Sequence, residues 1–587
     1  MLVYRSDRDP LVPVERAAFL AERLERATRR VGVPHDEIVD FLIDFGVLEA
    51  AIADALFPDA DGLHPAAERM RRVGAALGAA LRHSWRGEHG QVGTPLAEAA
   101  RTVRALAADQ LPEVAWSSVP EGYAWYALHP EGYVEAAERF ASDHGPVPVV
   151  CLGLRSIGTG LSSAVEAALA ARGSSVERHT LRPRGHPFDR RPVVDGALEA
   201  RLRTPGGRYF LLVDEGPGLS GSSLAGAAAL LSRLGVPDAR IVLFPGWRTD
   251  GASLRSAEAR ERWRRHAQYV VDGGAVRARM TPLHPAAAGP FQDLSAGRWR
   301  RRVLRDPRDW PAAHPQHERL KLLGREPESG APVLLRFAGL GRYGRGAARL
   351  ARRLAEEGWT APTYGIANGF LATAFVAGRP LHAADADAGT LEHLARYVAF
   401  RARACPAERG ASVDSLREML RVNVGEGLGE PWAGRLLRTA AFAAAPAGAA
   451  AAIDGRMHPH EFLRTPGGLL KCDAVDHHAD HFYPGPQDAA WDLAGAAAEW
   501  GLDAEGRARL AARYAALTGD ADVRHRLPFH SLAYLASRLG YVMLAAESLR
   551  GSEDGRRFRL EVRRYAELLR RAIRRAERAE GTARIRA

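Results

Sequence analysis

The order of apolar and polar positions divides the chain into three regions of different character. Apolar residues recur at three- and four-residue spacing in segments 14–31, 35–57, 65–85 and 95–107, which predicts amphipathic helices. Short, continuous apolar runs follow at 147–154, 209–213 and 240–244, with helical segments at 161–172 and 222–234 between them. Buried strands that alternate with helices are typical of a parallel α/β sheet.

The second half of the chain begins with strand-like runs at 333–337, 362–367 and 371–376, and a helix is predicted at 345–357. From residue 391 onward the pattern is helical, apart from a loop-rich stretch at 454–487. We therefore predict a multidomain α/β and α+β protein. Its units are a helical N-terminal region at 1–116, a parallel-sheet domain at 117–310, a bilobal domain at 311–550 and a basic C-terminal helix at 551–587.

The composition is that of a globular protein. Apolar residues make up 46% of the 587 residues and charged residues 26%, which excludes a mostly disordered chain. The three cysteines are far apart and odd in number, which argues against a disulfide framework or a paired-cysteine zinc site. No run is apolar for the roughly 18 residues of a membrane span, and the first ten residues lack the apolar core of a secretory signal. We expect a cytoplasmic protein that does not enter membranes.

Positive charge is concentrated in the C-terminal tail. The net charge is +11, and residues 551–587 hold twelve arginines against six acids. Apolar residues of the tail recur at helical spacing, which predicts a helix that packs one stripe on the body and leaves a cationic face in solvent. Binding of nucleic acid through that face is the alternative. The stripe consists of Phe558, Val562, Tyr565, Leu569 and Ile573.

One segment of the first half combines carboxylates with hydroxyl groups. The apolar run at 210–213 ends in Asp214 and Glu215, a glycine- and proline-containing loop follows, and a helix is predicted to open after it. Free N–H groups and hydroxyls at a helix start bind anions, and neighbouring carboxylates suit ribose hydroxyls or magnesium. The segment therefore predicts a sugar-phosphate site. Its candidate phosphate-binding residues are Ser220, Gly221, Ser222 and Ser223.

This segment resembles the phosphoribosyl pyrophosphate loop of type I phosphoribosyltransferases. The loops at 154–160 and 181–191 take the places of that family's pyrophosphate loop and mobile catalytic loop. The resemblance implies that the acid pair holds the ribose hydroxyls, and that Arg155, Arg182 and Arg184 stabilise a departing pyrophosphate. It implies phosphoribosyl pyrophosphate as donor and Mg²⁺ as cofactor. Four residues, the last of them Leu219, separate the acids from the serines, where the family usually has three. The alternative is an α/β domain whose serine-rich turn only caps a helix.

A second constellation lies in the loop-rich stretch of the second half. The sequence 454–463 resembles the catalytic loop of the aminoglycoside phosphotransferase branch of the kinase fold. The resemblance implies that Asp473 binds magnesium and that Asp492 holds the loop. Glu461 stands where the family has its metal-binding Asn, and its carboxylate can still hold magnesium. Arg456 stands where the family has its catalytic Asp, and a guanidinium cannot accept a proton. Asp454 is the nearby carboxylate that we expect to orient an acceptor hydroxyl.

Two cations are candidates for binding the phosphates of ATP. Arg336, on the strand-like run 333–337, takes the place of the family's nucleotide-binding lysine, and Glu356 or Glu357 on the next helix is its expected partner. Lys321 is the other candidate.

Histidines beside the second constellation allow a different interpretation. Three histidines and two acids crowd into six residues, which makes a structural zinc site an alternative. They are Asp476, His477, His478, Asp480 and His481.

Taken together, the motifs predict a bifunctional transferase. It would transfer a phosphoribosyl group and pass a phosphoryl group from ATP to a small, nucleoside-like metabolite. The alternative is a non-catalytic nucleotide sensor or scaffold built on degenerate transferase and kinase folds, which the altered residue at Arg456 favours. No feature of the sequence specifies the acceptor or an oligomeric state.

Overall fold

The computed structural model describes residues 1–587 except 6–7, 107, 187, 204–206, 219, 253, 444–447 and 587, and of 580–586 it describes only the backbone. The N-terminal region is a layer of amphipathic helices beside a two-stranded antiparallel sheet, so the predicted helices are confirmed up to residue 106. Its elements are β1 (Asp9–Leu11), α1 (Pro13–Thr28), α2 (His35–Leu56), α3 (Pro65–Trp85), α4 (Gly93–Leu106) and β2 (Ala115–Ser117).

A parallel sheet with strand order β4-β3-β7-β8-β9 forms the next layer, as the alternation of strands and helices predicts. The elements of this region are α5 (Glu121–Ala124), α6 (Glu131–His144), β3 (Val149–Leu154), α7 (Ile157–Ala170), β4 (Val176–Leu181), β5 (Pro183–Arg184), β6 (Arg191–Pro192), α8 (Gly196–Arg203), β7 (Tyr209–Val213), α9 (Ser222–Arg233), β8 (Ile241–Phe244), α10 (Ala257–Arg265), β9 (Ala267–Gln268) and α11 (Gly273–Arg279).

Helix α7 begins four residues earlier than predicted and takes up most of the expected pyrophosphate loop. Gly158 in its first turn lies against β7, where a Cβ would fall 2.4 Å from the carbonyl oxygen of Val213. The glycine of this motif therefore serves close packing of helix on sheet.

The third region is an antiparallel sheet with strand order β10-β11-β12-β14-β13. Its edge strand comes from before residue 310, so the sheet crosses the predicted domain boundary. Its elements are β10 (Ala288–Asp293), α12 (Arg300–Val303), β11 (Lys321–Arg325), β12 (Pro332–Phe337), α13 (Gly341–Glu356), β13 (Thr363–Ala367) and β14 (Phe370–Ala374).

The fourth region is a helical lobe that contains a three-stranded antiparallel sheet, in the order β15-β17-β18, and a two-stranded one of β16 and β19. Its elements are β15 (Arg379–Pro380), α14 (Ala388–Ala404), α15 (Val413–Leu428), α16 (Glu430–Leu437), α17 (Ala440–Ala443), β16 (Ala450–Ala451), β17 (Phe462–Thr465), β18 (Gly468–Lys471), β19 (Gln487–Asp488), α18 (Ala490–Glu499), α19 (Ala504–Thr518), α20 (Val523–Ser548) and α21 (Glu553–Arg586).

The tail helix α21 packs along α20, which confirms the predicted stripe. Phe558 is 3% exposed and Tyr565, Leu569 and Ile573 are fully buried, while Val562 is partly buried against the same cluster.

The N-terminal helices join the two sheets. One apolar core runs from these helices through both the parallel and the antiparallel sheet. Helix α13 of the antiparallel sheet lies on α2, where Arg345 contacts Asp40 at 2.8 Å and Arg342 contacts Asp44 at 3.6 Å. Within the described ranges, no helix has the length and apolarity needed to cross a membrane.

Candidate functional site

The hairpin of β17 and β18 brings Glu461 and Asp473 together. Phe462 lies opposite Lys471 in the antiparallel pair, and the backbone N–H of Cys472 donates to the carbonyl of Glu461 at 2.9 Å. Glu461 and Cys472 are therefore neighbours at the open end of the hairpin, and Asp473 follows directly. A ligand atom of each of Glu461, Asp473 and His477 lies within 4.8 Å of the other two. The two carboxylates offer the oxygen ligands that magnesium prefers.

The charges of this group are set by its neighbours. Burial opposes ionisation of Asp473, but Arg336 and His477 hold its pKa well below the usual range. Burial also opposes ionisation of Glu461, but Lys471 holds its pKa below the usual value. For His477, burial disfavours the cation, but Asp473 outweighs it and the pKa rises to about 9. His477 is thus an imidazolium beside Asp473 at neutral pH, and the two carboxylates are the candidate metal ligands.

Lys471 is enclosed among the acids of the hairpin. Its side chain has no exposed surface, and its Nζ lies 2.7 Å from Glu461 Oε2 and 3.4 Å from Asp454 Oδ1. It also donates to the backbone carbonyl of Asp473. Burial disfavours the ammonium, but Asp454 and Glu461 keep the pKa of Lys471 above its usual value. A metal ion on Glu461 would share that carboxylate with the ammonium.

Asp454 lies behind this group and does not reach open space. It is fully buried, its Oδ2 accepts the hydroxyl of Tyr397 at 2.6 Å, and its Oδ1 faces Lys471 and the backbone N–H of Arg456. We expected Asp454 to lie beside an acceptor hydroxyl, but both of its carboxylate oxygens have partners inside the lobe.

Asp492 holds the loop as the motif implies. Its two carboxylate oxygens accept the backbone N–H groups of Asp454 and Gly455, each at 2.8 Å. Gly455 has a φ of +78°, a left-handed conformation that glycine adopts without strain. Burial and the charge of Asp454 raise the pKa of Asp492 to about 6.

Arg336 and Lys321 lie opposite each other on β12 and β11, so both side chains stand on one face of the sheet. Arg336 lies 2.9 Å from Asp473 and 2.5 Å from Asp476, whose other oxygen is 2.8 Å from Arg319.

The expected partners of Arg336 need a correction. Glu356 and Glu357 are exposed at the end of α13 and do not pair with it. The loop after β18 supplies its acids instead, because this loop passes directly over the strand face that carries Arg336.

A cavity of about 570 Å³ opens between the antiparallel sheet and the helical lobe. Glu461, Asp473, Arg336 and Lys321 line one side, so the structure brings together four of the residues that the sequence nominated. Helices α20 and α21 line the other side, where Tyr541 and Phe558 stand among charged residues. Arg456 also lines this cavity.

The acid pair of the first constellation lies at the carboxyl end of β7. Burial raises the pKa of Asp214 to about 7 and, together with the charge of Glu121, raises that of Glu215 well above its usual value. Glu215 accepts the backbone N–H of Gly122 at 2.9 Å, and the hydroxyl of Tyr133 donates to the carbonyl of Asp214 at 2.7 Å. These contacts fix the loop that carries both acids.

The serine-rich turn opens α9, as predicted. Gly221 precedes the helix in a left-handed conformation, with a φ of +67°. The hydroxyls of Ser220 and Ser222 lie 3.0 Å apart, and Ser223 follows in the first turn. Leu219, the extra residue of this loop, lies outside the described residues.

The three arginines of this constellation are engaged by acids of the N-terminal region. Arg155 lies 3.0 Å from Asp54 and also contacts Asp61, while Arg182 donates to Asp54 at 2.8 Å. Arg184 lies 3.3 Å from Asp61. Their expected role with a departing pyrophosphate stays a prediction, and it would require these ion pairs to open.

The histidine cluster is not assembled as a zinc site in the described part of the chain. His481 stacks on Tyr4 with ring centroids 4.9 Å apart and lies 2.8 Å from Asp480. Burial lowers the pKa of His478 to about 3. Of the five residues in this histidine cluster, only His477 belongs to a group that could hold a metal ion in the described part of the chain, and its partners there are Glu461 and Asp473.

The sequence reasoning gave no role to Lys471 or to the residues of α20, and it considered His477 only as a zinc ligand. The rarity of lysine was a usable signal, since the chain has only two lysines and both line the cavity. The approach of α20 to the cavity left no signal, because it depends on long-range packing.

No family model matches this chain, and no curated protein matches it. Solved structures of small-molecule kinases are similar at low levels. A choline/ethanolamine kinase family protein from Mesorhizobium loti is 16% identical, with a TM-score of 0.35, and the similarity covers 52% of this chain and 98% of that chain. Choline kinase LicA from Streptococcus pneumoniae is 14% identical, with a TM-score of 0.31 and coverages of 42% and 89%. A spectinomycin phosphotransferase is 8% identical, with a TM-score of 0.32 and coverages of 44% and 91%. We draw no functional conclusion from similarity at this level.

Proposed function

We propose that the cavity between the antiparallel sheet and the helical lobe is the active site of a magnesium- and ATP-dependent phosphotransferase. The observation that carries this proposal is the convergence of Glu461 and Asp473, both ionised, at the cavity wall. Arg336 and Lys321 stand on the facing strands, where guanidinium and ammonium groups suit phosphate oxygens. The acceptor would be a small metabolite with a free hydroxyl.

The residues divide into metal ligands, phosphate-binding cations and supports. Glu461 and Asp473 would hold Mg²⁺, which neutralises charge on the transferred phosphoryl group when bound. Arg336 would exchange part of its contact with Asp473 for phosphate oxygen. Asp454 supports the site from behind by holding Lys471. Phosphoryl transfer depends mainly on positioning and charge stabilisation, so a missing carboxylate base is compatible with activity.

Calorimetric titration with ATP, with and without magnesium, tests this proposal. Asp473→Asn and Glu461→Gln should each remove the magnesium-dependent part of the affinity, because each takes one charged oxygen ligand from the ion. Asp522→Asn, at an exposed position before α20, is the matched control and should bind as the wild type does. Full magnesium-dependent affinity in Asp473→Asn would show that the metal site lies elsewhere.

We propose a second, separate function for the parallel sheet, which is binding of a ribose phosphate. Its support is that Asp214 and Glu215 end β7 while Ser220 and Ser222 open the helix that follows, so both groups lie at the carboxyl edge of the sheet. Transfer of a phosphoribosyl group from phosphoribosyl pyrophosphate would additionally require Arg155, Arg182 and Arg184 to leave their ion pairs with aspartates of the N-terminal region. Asp214→Asn should weaken magnesium-dependent binding of ribose 5-phosphate, and the exposed Asp189→Asn should not. Equal affinity in both variants would remove this second function.

A non-catalytic nucleotide sensor remains the rival of the phosphotransferase. A phosphotransferase turns ATP over and a sensor does not. Turnover is measured as loss of the γ-phosphate of ATP in the presence of candidate acceptors. Magnesium-dependent binding without turnover for any acceptor tested would favour the sensor.

A further inference from the structure

Two arginines on the helical side of the cavity share one tyrosine ring. The guanidiniums of Arg456 and Arg538 lie over the same ring, that of Tyr541, at 5.9 and 5.1 Å from its centroid. All three residues line the cavity. Among the described residues, no carboxylate lies within ion-pair distance of either guanidinium. Arg538 donates instead to the hydroxyl of Tyr565 at 3.2 Å, and that hydroxyl donates in turn to Glu499 at 2.7 Å.

This arrangement differs from that of the neighbouring cavity arginines. Arg564 lies 3.1 Å from both Glu499 and Glu561, and Arg336 lies 2.9 Å from Asp473. Two like charges that share one ring in a largely buried wall repel each other, and the nearest acids, Asp480, Glu461 and Glu499, act on them only from beyond ion-pair distance. The tyrosine ring relieves only part of this cost through its π face. An anionic ligand would relieve the rest.

We infer that Arg456 and Arg538 form a subsite for an anionic group, a phosphate or a carboxylate, on the acceptor of the proposed phosphotransferase. The assignment of the anionic ligand as the acceptor rests on the proposed function, whereas the anion subsite itself rests on two arginines that form no ion pair within the described residues. The nucleotide would occupy the sheet side, where Arg336 and Lys321 stand beside the metal carboxylates. Guanidinium groups bind phosphate and carboxylate oxygens with two parallel hydrogen bonds. A cationic amine would meet repulsion at this wall.

Calorimetric titrations of the full chain test the subsite. Ribose 5-phosphate is the phosphate probe, glycerate the carboxylate probe, ribose the neutral control and choline the cationic control. The titrations are made in EDTA, which removes the magnesium-dependent binding proposed for Asp214. We expect one or both anions to bind at least about tenfold more tightly than ribose and choline.

Substitutions then locate the binding. Arg456→Met and Arg538→Met should each weaken the bound anion at least about tenfold and leave the affinity for magnesium-ATP within about twofold. Arg524→Met, an exposed position on α20, is the matched control and should change neither affinity. Arg456 lies on a loop rather than in a helix, so Arg456→Met keeps the test valid if Arg538→Met fails to fold.

Three outcomes would overturn the inference. Unchanged anion affinity in the arginine variants would place the anion elsewhere, and preferred binding of choline would show the wrong sign of charge. An equal loss of magnesium-ATP affinity would assign the arginines to the nucleotide. Failure of the wild type to bind magnesium-ATP would refute the phosphotransferase alone, because the anion titrations contain neither metal nor nucleotide.

Discussion

Replacement of Lys471 by methionine tests the charge balance of the candidate metal site. The substitution keeps an unbranched side chain of similar length and removes an ammonium that lies 2.7 Å from Glu461 and 3.4 Å from Asp454. With an effective dielectric constant of about 20, these distances correspond to roughly 6 and 5 kcal/mol of attraction. Desolvation of the three groups offsets most of that sum, and loss of one partner from a buried pair costs about 3–5 kcal/mol.

The assay is thermal unfolding with and without magnesium. For a domain of 150–250 residues a loss of 1 kcal/mol lowers the midpoint by about 2–4 °C, so Lys471→Met should melt roughly 6–20 °C below the wild type. Magnesium should restore part of the loss, because the ion supplies positive charge to the same carboxylates. At 100 times its Kd the ion adds about 2.7 kcal/mol.

Lys321 provides the matched control, since it is the other lysine of the chain and lines the same cavity. Its Nζ lies 3.9 Å from Glu318, the limit of an ion pair, and its side chain keeps some exposure, so Lys321→Met should cost less stability than Lys471→Met. The reasoning is refuted if both variants melt together, or if magnesium stabilises Lys471→Met no more than the wild type.

Two further predictions concern the fold around the site. In denaturant titration, Leu569→Ala on α21 should cost about 2–5 kcal/mol of stability, because Leu569 is fully buried. Leu560 on the same helix is 62% exposed, so Leu560→Ala should change stability by less than about 0.5 kcal/mol. Equal effects of the two substitutions would contradict the packing of the tail. His35 and Glu131 form a pair at 2.7 Å in which the pKa of His35 is raised, since Glu131 outweighs the opposing burial, and the pKa of Glu131 is lowered, since His35 outweighs burial there. The protonated His35 stabilises the fold below about pH 6.5, and the ionised Glu131 stabilises it above about pH 4.5. The stability lost in His35→Gln should therefore be largest between those pH values and shrink toward pH 8. A loss of stability that grows with pH would contradict the assignment.

The sequence was informative where the contacts are local. Glu461 and Asp473 are twelve residues apart in the sequence and flank the two strands of one hairpin at its open end. A sequence motif that contains both residues therefore also predicts that they lie close together. The apolar stripe of α21 likewise predicts its own burial, since periodicity records which face meets the core.

Contacts between distant segments could not be predicted in this way. Arg155 and Asp61 are 94 positions apart, and nothing in either segment shows that one neutralises the other. Arg336 was expected to pair with an acid of the next helix, but a loop 140 positions away supplies Asp476. The same limit applies to Arg538, which reaches the cavity because α20 packs on α18 and α21.

The charges around the hairpin indicate how magnesium would enter the site. Lys471, His477 and Arg336 stand against Glu461, Asp473 and Asp454, so the carboxylates already have cationic partners. Free magnesium would have to compete with these cations for two carboxylates, and it gives up its hydration water reluctantly. The phosphates of a nucleotide change this balance, because they add negative charge beside Arg336 and supply further oxygen ligands. We therefore expect the ion to bind tightly only together with the nucleotide, and the strength of its binding alone to rise when Lys471 is removed.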